Sequence, residues 1–216
     1  MKMSQSLKVN ALGIGVFAAI TAALISTTYV LTQAPIKENI HRQESKLLYE
    51  IIGNTQFDND VFNQVLELPG SAFGYKTPIK AHLAMQGDKV QSIVFPVLTS
   101  EGYSGNITLL VGVNADASVT GVRVISHRET PGLGDKIELK KSPWILSFDQ
   151  QIKQSNSDWG VKKDGGQFDQ FTGATITPRA VVDGVGKALD YFTANRLALL
   201  DSGRRLQREK VDANGS

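Results

Sequence analysis

Cysteine is absent from this 216-residue chain. That single absence removes disulfides, thiolate metal ligands, iron–sulfur ligation, thiol nucleophiles and lipidation at cysteine, and it fits an oxidising compartment. Histidine is scarce. His41, His82 and His127 are the full set of three, too few for a dedicated protein-only zinc site, so no metal is expected. Redox chemistry, if present, must come from a bound organic cofactor. An excess of charge of one sign is missing as well: Lys and Arg number 23 against 21 for Asp and Glu. No long basic block interleaves with aromatics, so composition gives no reason to expect nucleic acid as a partner. Arg204, Arg205, Arg208 and Lys210 cluster near the C-terminus, but Asp201, Glu209 and Asp212 dilute them. Residues 201–216 therefore read as a solvated polar tail. There is no internal repeat and no low-complexity linker.

What is present begins with a long apolar run. Residues 9–36 contain no Asp, Glu, Lys, Arg or His, and 11–30 are almost wholly apolar. At about 1.5 Å rise per residue such a helix reaches roughly the thickness of the hydrocarbon core. Tyr29 falls where an interfacial aromatic would anchor its end. The rival reading is a cleavable signal peptide, whose apolar region is shorter, about 7–15 residues, and leads to a small-residue cleavage site. Here the nearest such site, Thr32-Gln33-Ala34, is followed by Pro35, which favours a retained anchor. Lys2 and Lys8 precede the run and Lys37, Arg42 and Lys46 follow it, so the charge count does not orient the helix. A short N-terminus with a long C-terminal domain suggests that the domain is translocated.

The remainder is enough for one domain of ordinary size. Residues 1–35 form the short N-terminus and anchor, 36–200 the domain and 201–216 the tail. Ile36, Ile40, Leu47, Leu48, Ile51 and Ile52 recur at helical spacing and are ended by Gly53-Asn54, which predicts an amphipathic helix. Between about 72 and 129 the pattern turns to β-rich runs, at 81–85, 90–95, 107–113 and 119–126, separated by turn residues. An antiparallel meander is expected. A last helix is predicted to start with Thr177 as N-cap and Pro178 at its first position, with Val181, Val182, Val185, Leu189 and Phe192 on its apolar face. The fold class is α+β: a twisted antiparallel sheet flanked by helices and preceded by one N-terminal transmembrane helix.

The stretch that carries chemistry is Asp169-Gln170-Phe171-Thr172-Gly173-Ala174-Thr175, between the Asp164-Gly165-Gly166 turn and the last helix. Small residues at 173 and 174 let a bulky ligand approach the backbone, and unpaired N–H groups at a helix start favour an anion. By physics alone the same letters also describe an ordinary loop and cap.

Asp-x-x-Thr-Gly-Ala-Thr resembles the acceptor motif of flavin transferases of the ApbE type, which move flavin mononucleotide (FMN) from FAD to the final threonine hydroxyl as a phosphoester. Gly102-Tyr103-Ser104-Gly105 and His127-Arg128-Glu129-Thr130-Pro131-Gly132-Leu133-Gly134 match the same FMN-binding family in the same order. With the anchor added, the chain resembles the G subunit of the bacterial Rnf (Rsx) electron-transport complex. It is similar only in part to the C subunit of the sodium-pumping NADH:quinone oxidoreductase. The resemblance implies covalent FMN on Thr175 and recognition by the transferase through Asp169, Thr172, Gly173, Ala174 and Thr175. It places Glu129, Thr130 and Leu133 near the isoalloxazine ring, with Tyr103 and Ser104 lining the same cleft, and it counts Gly134, Thr172, Gly173 and Ala174 among the cofactor-binding residues. Taken alone, residues 131–134 also read as a plain turn.

A His127–Glu129 pair invites an acid–base reading, and alternation along the strand would put both on one face. A structural pairing is favoured, because a flavin that only passes electrons needs no side-chain base, and no catalytic residue is expected. The leading expectation is an electron-transfer subunit of an ion-translocating oxidoreductase in a bacterial inner membrane, single-pass, with its domain on the periplasmic side. Its partners would be the other subunits, the transferase during maturation and the membrane. The alternative is an anchored FMN-binding sensor or adaptor that passes no electrons. A threonine-dependent hydrolase is a poor third reading, since Thr175 has no sequence-visible base or oxyanion motif.

Overall fold

The computed structural model describes residues 3–53, 55–155 and 158–214; for 3–9, 34–43 and 210–214 the description is of the backbone alone. Two compact units divide the chain at Glu44/Ser45. The first is helix α1, which runs over Met3–Ile52 and so continues into the second unit. Its segment Asn10–Gln33 is long and apolar enough to cross a membrane, and none of it is buried. Phe17, Ile20, Leu24 and Leu31 are exposed around the helix, which leaves no packed face of the kind a soluble core helix has.

The second unit is built on a five-stranded antiparallel meander with spatial order β1-β2-β3-β4-β5. The strands are β1 Val65–Leu68, β2 Ile79–Gln86, β3 Lys89–Gly102, β4 Gly105–Asn114 and β5 Val119–Ser126. Four of these fall on the β-rich runs of the sequence. Strand β1 was not predicted: at four residues, with Pro69 next, it is too short to show alternation. Pro96 lies inside β3, where it faces Leu110 of β4, and the β2 pairing stops at Val94. A proline with no N–H to donate is tolerated there because its other flank has no ladder partner to satisfy.

Two apolar layers cover the sheet. On one face lies helix α2, Ile176–Asn214, whose Val181, Val182, Val185, Leu189 and Phe192 are buried against the sheet, as their spacing predicts. On the other face Leu48, Ile51 and Ile52 of α1 pack with Val61, Ala84, Val94 and Leu110. The side chains of Ile36 and Ile40, predicted to share that apolar face, lie outside the described residues. Between β5 and α2 the chain forms short 3₁₀ turns rather than regular elements, at Asp135–Ile137, Pro143–Phe148 and Lys162–Asp164. An aromatic cluster holds this region down. Phe148 stacks on Phe168 with centroids 4.4 Å apart, and Trp144 meets Phe171 edge-on at 5.1 Å. Such pairs contribute about 0.5–1.5 kcal/mol each beyond the area they bury.

Three local expectations are corrected. Helix α2 begins at Ile176, so Thr177 lies inside its first turn and Thr175 takes the cap position. Strand β5 ends at Ser126, so His127 and Glu129 lie beyond it and share no strand face. Residues 201–214, read as a polar tail, continue α2, and Gly203 is buried where an added Cβ would stand 2.5 Å from Val90 Cγ2.

Candidate functional site

The three sequence motifs are far apart in the chain, yet one carboxylate joins them. Glu129 is 4% exposed. Its Oε1 accepts the backbone N–H of Ser104 at 2.9 Å, and its Oε2 accepts the hydroxyl of Thr177 in the first turn of α2. Hydrogen bonds to a charged acceptor are worth about 1.5–3 kcal/mol each, and a buried carboxylate left without them would be costly. Glu129 thus ties the β3–β4 turn to the loop after β5 and to the helix that follows Thr175.

Two glycines of the motifs are explained by that carboxylate. A Cβ on Gly102 would stand 2.8 Å from Glu129 Oε1 and 2.4 Å from the Gly105 carbonyl. On Gly134 it would stand 2.8 Å from Glu129 Cβ and 2.9 Å from Thr177 Oγ1. Gly132 differs: its φ is +80° in open space, so it serves the turn and not the packing. That turn is closed by the Thr130 carbonyl, which accepts the N–H groups of Leu133 (3.1 Å) and Gly134 (3.0 Å). Asp135 fixes it from outside by accepting the Gly132 N–H at 2.8 Å.

His127 is structural in this arrangement. Its Nδ1 accepts the Glu129 N–H at 3.0 Å, and its Nε2 therefore carries a proton and donates to Glu138 Oε1 at 2.7 Å. Both ring nitrogens are used in holding the loop, which leaves none for general-base work.

Thr175 itself sits where α2 starts. The first helical bond runs from the Arg179 N–H to the Thr175 carbonyl at 3.3 Å. The N–H groups of Ile176 and Thr177 precede that bond, and Pro178 has none to offer. The Thr175 side chain is half-buried, and among the described residues none hydrogen-bonds to its hydroxyl. Upstream, Ala174 donates its N–H to the Phe171 carbonyl at 3.1 Å, across a turn in which Gly173 has φ +80°. Phe171 anchors this turn in the aromatic cluster, and Trp144 Nε1 donates to the Asp169 carbonyl at 2.7 Å. Asp169 is exposed and pairs with Lys162 at 2.6 Å; Thr172 is exposed beside it.

The structure therefore brings Gly173, two residues before Thr175, beside the 130–134 loop: a Cβ on Gly173 would lie 3.8 Å from Leu133 Cδ2. Tyr103 is 70% exposed, Leu133 44% and Ile176, the first residue of α2, 44%, so two large side chains of the motifs and one just after them face outward. Glu129 stands apart from the other predicted contacts, because it is buried beneath the loop with both oxygens engaged. A flavin phosphate fits the donor set. The Ile176 and Thr177 N–H groups, without a partner among the described residues, and the positive end of α2 favour an anion, and no acidic residue lies in the first turn. The nearby Asp164 is held by Arg179 through bonds of 2.7 and 2.9 Å. That guanidinium lowers the Asp164 carboxyl below its ordinary range, and the pairing raises Arg179 in turn.

Sequence reasoning missed Thr177 as a partner of Glu129, the Arg179–Asp164 pair and the aromatic support. One signal was available: both tryptophans of the chain, Trp144 and Trp159, lie in the 25 residues before the motif.

Comparison with known proteins gives a consistent result. Residues 102–190 match the FMN-binding domain family, and residues 1–51 match the RnfG N-terminal region. The chain is 41% identical over 200 residues to the G subunit of the ion-translocating oxidoreductase complex of Vibrio atlanticus, covering 92% of this chain and 96% of that one. With the protein of the same name from Pseudoalteromonas atlantica it shares 43% identity over 212 residues, or 96% and 98% of the two chains. With that from Pseudomonas aeruginosa it shares 43% over 199 residues, or 91% and 93%.

Proposed function

The chain belongs to the family of G subunits of ion-translocating oxidoreductase complexes, and from that premise we propose that it is an electron-transfer subunit carrying FMN esterified to Thr175. The observation that carries the reading is the Thr175 hydroxyl at the start of α2, which has no hydrogen-bond partner among the described residues and lies two residues after Gly173, where a Cβ would stand 3.8 Å from Leu133 Cδ2. In the attachment step the Thr175 oxygen bonds to the FMN-side phosphorus of FAD and the bond from that phosphorus to the AMP portion breaks. AMP leaves with the electron pair, the hydroxyl proton passes to the medium, and no oxidant or reductant enters.

Bound there, FMN supplies reversible redox chemistry. The chain supplies the rest. The N–H groups of Ile176 and Thr177 balance phosphate charge. Tyr103, Leu133 and Ile176 offer apolar surface for the ring, and Ser104, Thr130, Thr172, Gly173 and Ala174 complete the cleft. Asp169 is the exposed acidic residue that the transferase reads together with Thr172 to Thr175. Segment Asn10–Gln33 holds the domain at the bacterial inner membrane, with the domain on the periplasmic side, among the other subunits of the complex. Outside the cytoplasm a dissociated flavin would be lost, and a phosphoester abolishes that dissociation.

The test is coexpression with a flavin transferase, followed by denaturing electrophoresis and intact mass measurement. The expected result is flavin fluorescence migrating with the denatured chain, lost in Thr175→Ala. A colourless wild-type chain would falsify the assignment. Complex turnover that survives Thr175→Ala would instead favour a sensor or adaptor.

A further inference from the structure

Three threonines, at 172, 175 and 177, lie within six residues at the start of α2. Their hydroxyls have different fates. Thr172 is exposed in the turn, Thr175 is half-buried at the helix cap, and Thr177 is fully buried with its hydroxyl donated to Glu129. The acceptor is itself fixed: Glu129 Oε1 takes the Ser104 N–H at 2.9 Å, and the Glu129 N–H is held by His127 Nδ1 at 3.0 Å. His127 is held in turn by Glu138 at 2.7 Å. The first turn of α2 is thus tied to the two loops across 48 and 25 residues of chain separation.

We infer that Glu129 and Thr177 are positioning residues for the attachment reaction: their hydrogen bond locks the first turn of α2, aims the Thr175 hydroxyl outward and withdraws the Thr177 hydroxyl from modification. This rests on the reading of Thr175 as the attachment residue. The physical reason is placement. Of the two hydroxyl-bearing side chains at this helix start only one is fully buried: Thr177, in the first turn, is inaccessible, while Thr175, at the cap position, is half-buried. The buried carboxylate decides which. Attack by an oxygen on phosphorus demands close alignment, and a shift of about 1 Å in such a geometry costs about a hundredfold in rate. Gly102 and Gly134 belong to the same device, since any side chain there would push against the carboxylate or the Thr177 hydroxyl.

The experiment uses the full-length chain in detergent with purified flavin transferase and FAD. It reads the initial rate of flavin attachment, the attachment site by peptide mapping, and amide hydrogen exchange on the same samples without FAD. Thr177→Val keeps the branched shape and loses the donor; Glu129→Gln keeps the size and presents an amide that cannot accept at both ends. Both are expected to slow attachment at Thr175 by about tenfold or more while melting cooperatively, with Thr177→Ser within about twofold of wild type. In Glu129→Gln, part of the flavin is expected on Thr177. Protection of the Ser104 amide and of the first turn of α2 should fall in both variants. Attachment at the wild-type rate with unchanged exchange in both overturns the inference. Should either variant melt without cooperativity, Glu129→Asp retains the charge and shortens the reach. It is expected to be slowed as well, and a wild-type rate there overturns the inference equally. Wild-type chain without flavin on Thr175 sinks the attachment reading alone, and the exchange data then decide the lock by themselves.

Discussion

Glycines 132 and 134 stand two apart in one loop and are required for opposite reasons. Gly132 has φ +80° with nothing within reach of an added Cβ, whereas Gly134 has φ −87° and no free space. Gly132→Ala should cost about 1 kcal/mol, the strain of a left-handed backbone on a residue with a Cβ. Gly134→Ala should cost about 1–3 kcal/mol by overpacking and should also impair flavin attachment, because it strikes Glu129 and Thr177. Urea unfolding checks the order; equal losses would refute the distinction. A second residue-scale prediction concerns Asp149. Burial raises its carboxyl above the ordinary range, Arg123 partly offsets this, and Oδ1 has no hydrogen-bond partner among the described residues. A raised carboxyl in the folded state favours the protonated form, so the penalty is absent at low pH and appears as pH rises through the folded value. Asp149→Asn should therefore flatten that part of the stability profile. It should raise stability at pH 7 by no more than about 1 kcal/mol, or about 2–4 °C. Melting curves from acid to neutral pH test it, and a loss of stability at pH 7 would count against the account. The sequence marks Gly132 and Gly134 as members of one motif but not the opposite reasons for them, and it gives no sign of the burial of Asp149.

At the scale of elements, the most legible parts were those whose signal is local. Strands β2 to β5 show in the β-rich runs at 81–85, 90–95, 107–113 and 119–126, and α2 shows in the spacing of Val181 to Phe192. The ends were less legible. The pair Thr177-Pro178 looks like a cap, but Thr177 lies inside the helix, and its hydroxyl goes to Glu129, 48 residues earlier, instead of capping a backbone N–H. The packing of α1 on the sheet was hidden for a similar reason. Gly112 and Gly121 face each other across β4 and β5 and form a notch for Ile51. A Cβ on Gly112 would stand 2.4 Å from Ile51 Cγ2. Ile51 is buried and β-branched, so its rotamer has little room to give. Gly112→Ala should thus destabilise the domain by about 1–3 kcal/mol, chiefly by lifting residues 45–52 from the sheet. Faster amide exchange across residues 45–52 checks the location, and unchanged exchange there would contradict it.

The whole molecule is two units with different solvents. The unit that begins at Ser45 holds the sheet, both apolar layers and every residue of the candidate site, while Asn10–Gln33 buries nothing of its own. A chain starting at residue 45 should accordingly stay in solution without detergent and melt cooperatively. The full chain should need detergent. Aggregation of the shortened chain would show that the first unit contributes to folding. By itself the sequence determined what depends on neighbours along the chain: an apolar run long enough for a bilayer, the alternation of a meander, and the run Asp169 to Thr175 with its two companion motifs. Tertiary structure alone decided which atoms of those motifs meet. The bonds from Glu129 to Ser104 and to Thr177 close loops of 25 and 48 residues. Contacts at such separations depend on how the loops and α2 come to lie on the sheet, which no local pattern encodes.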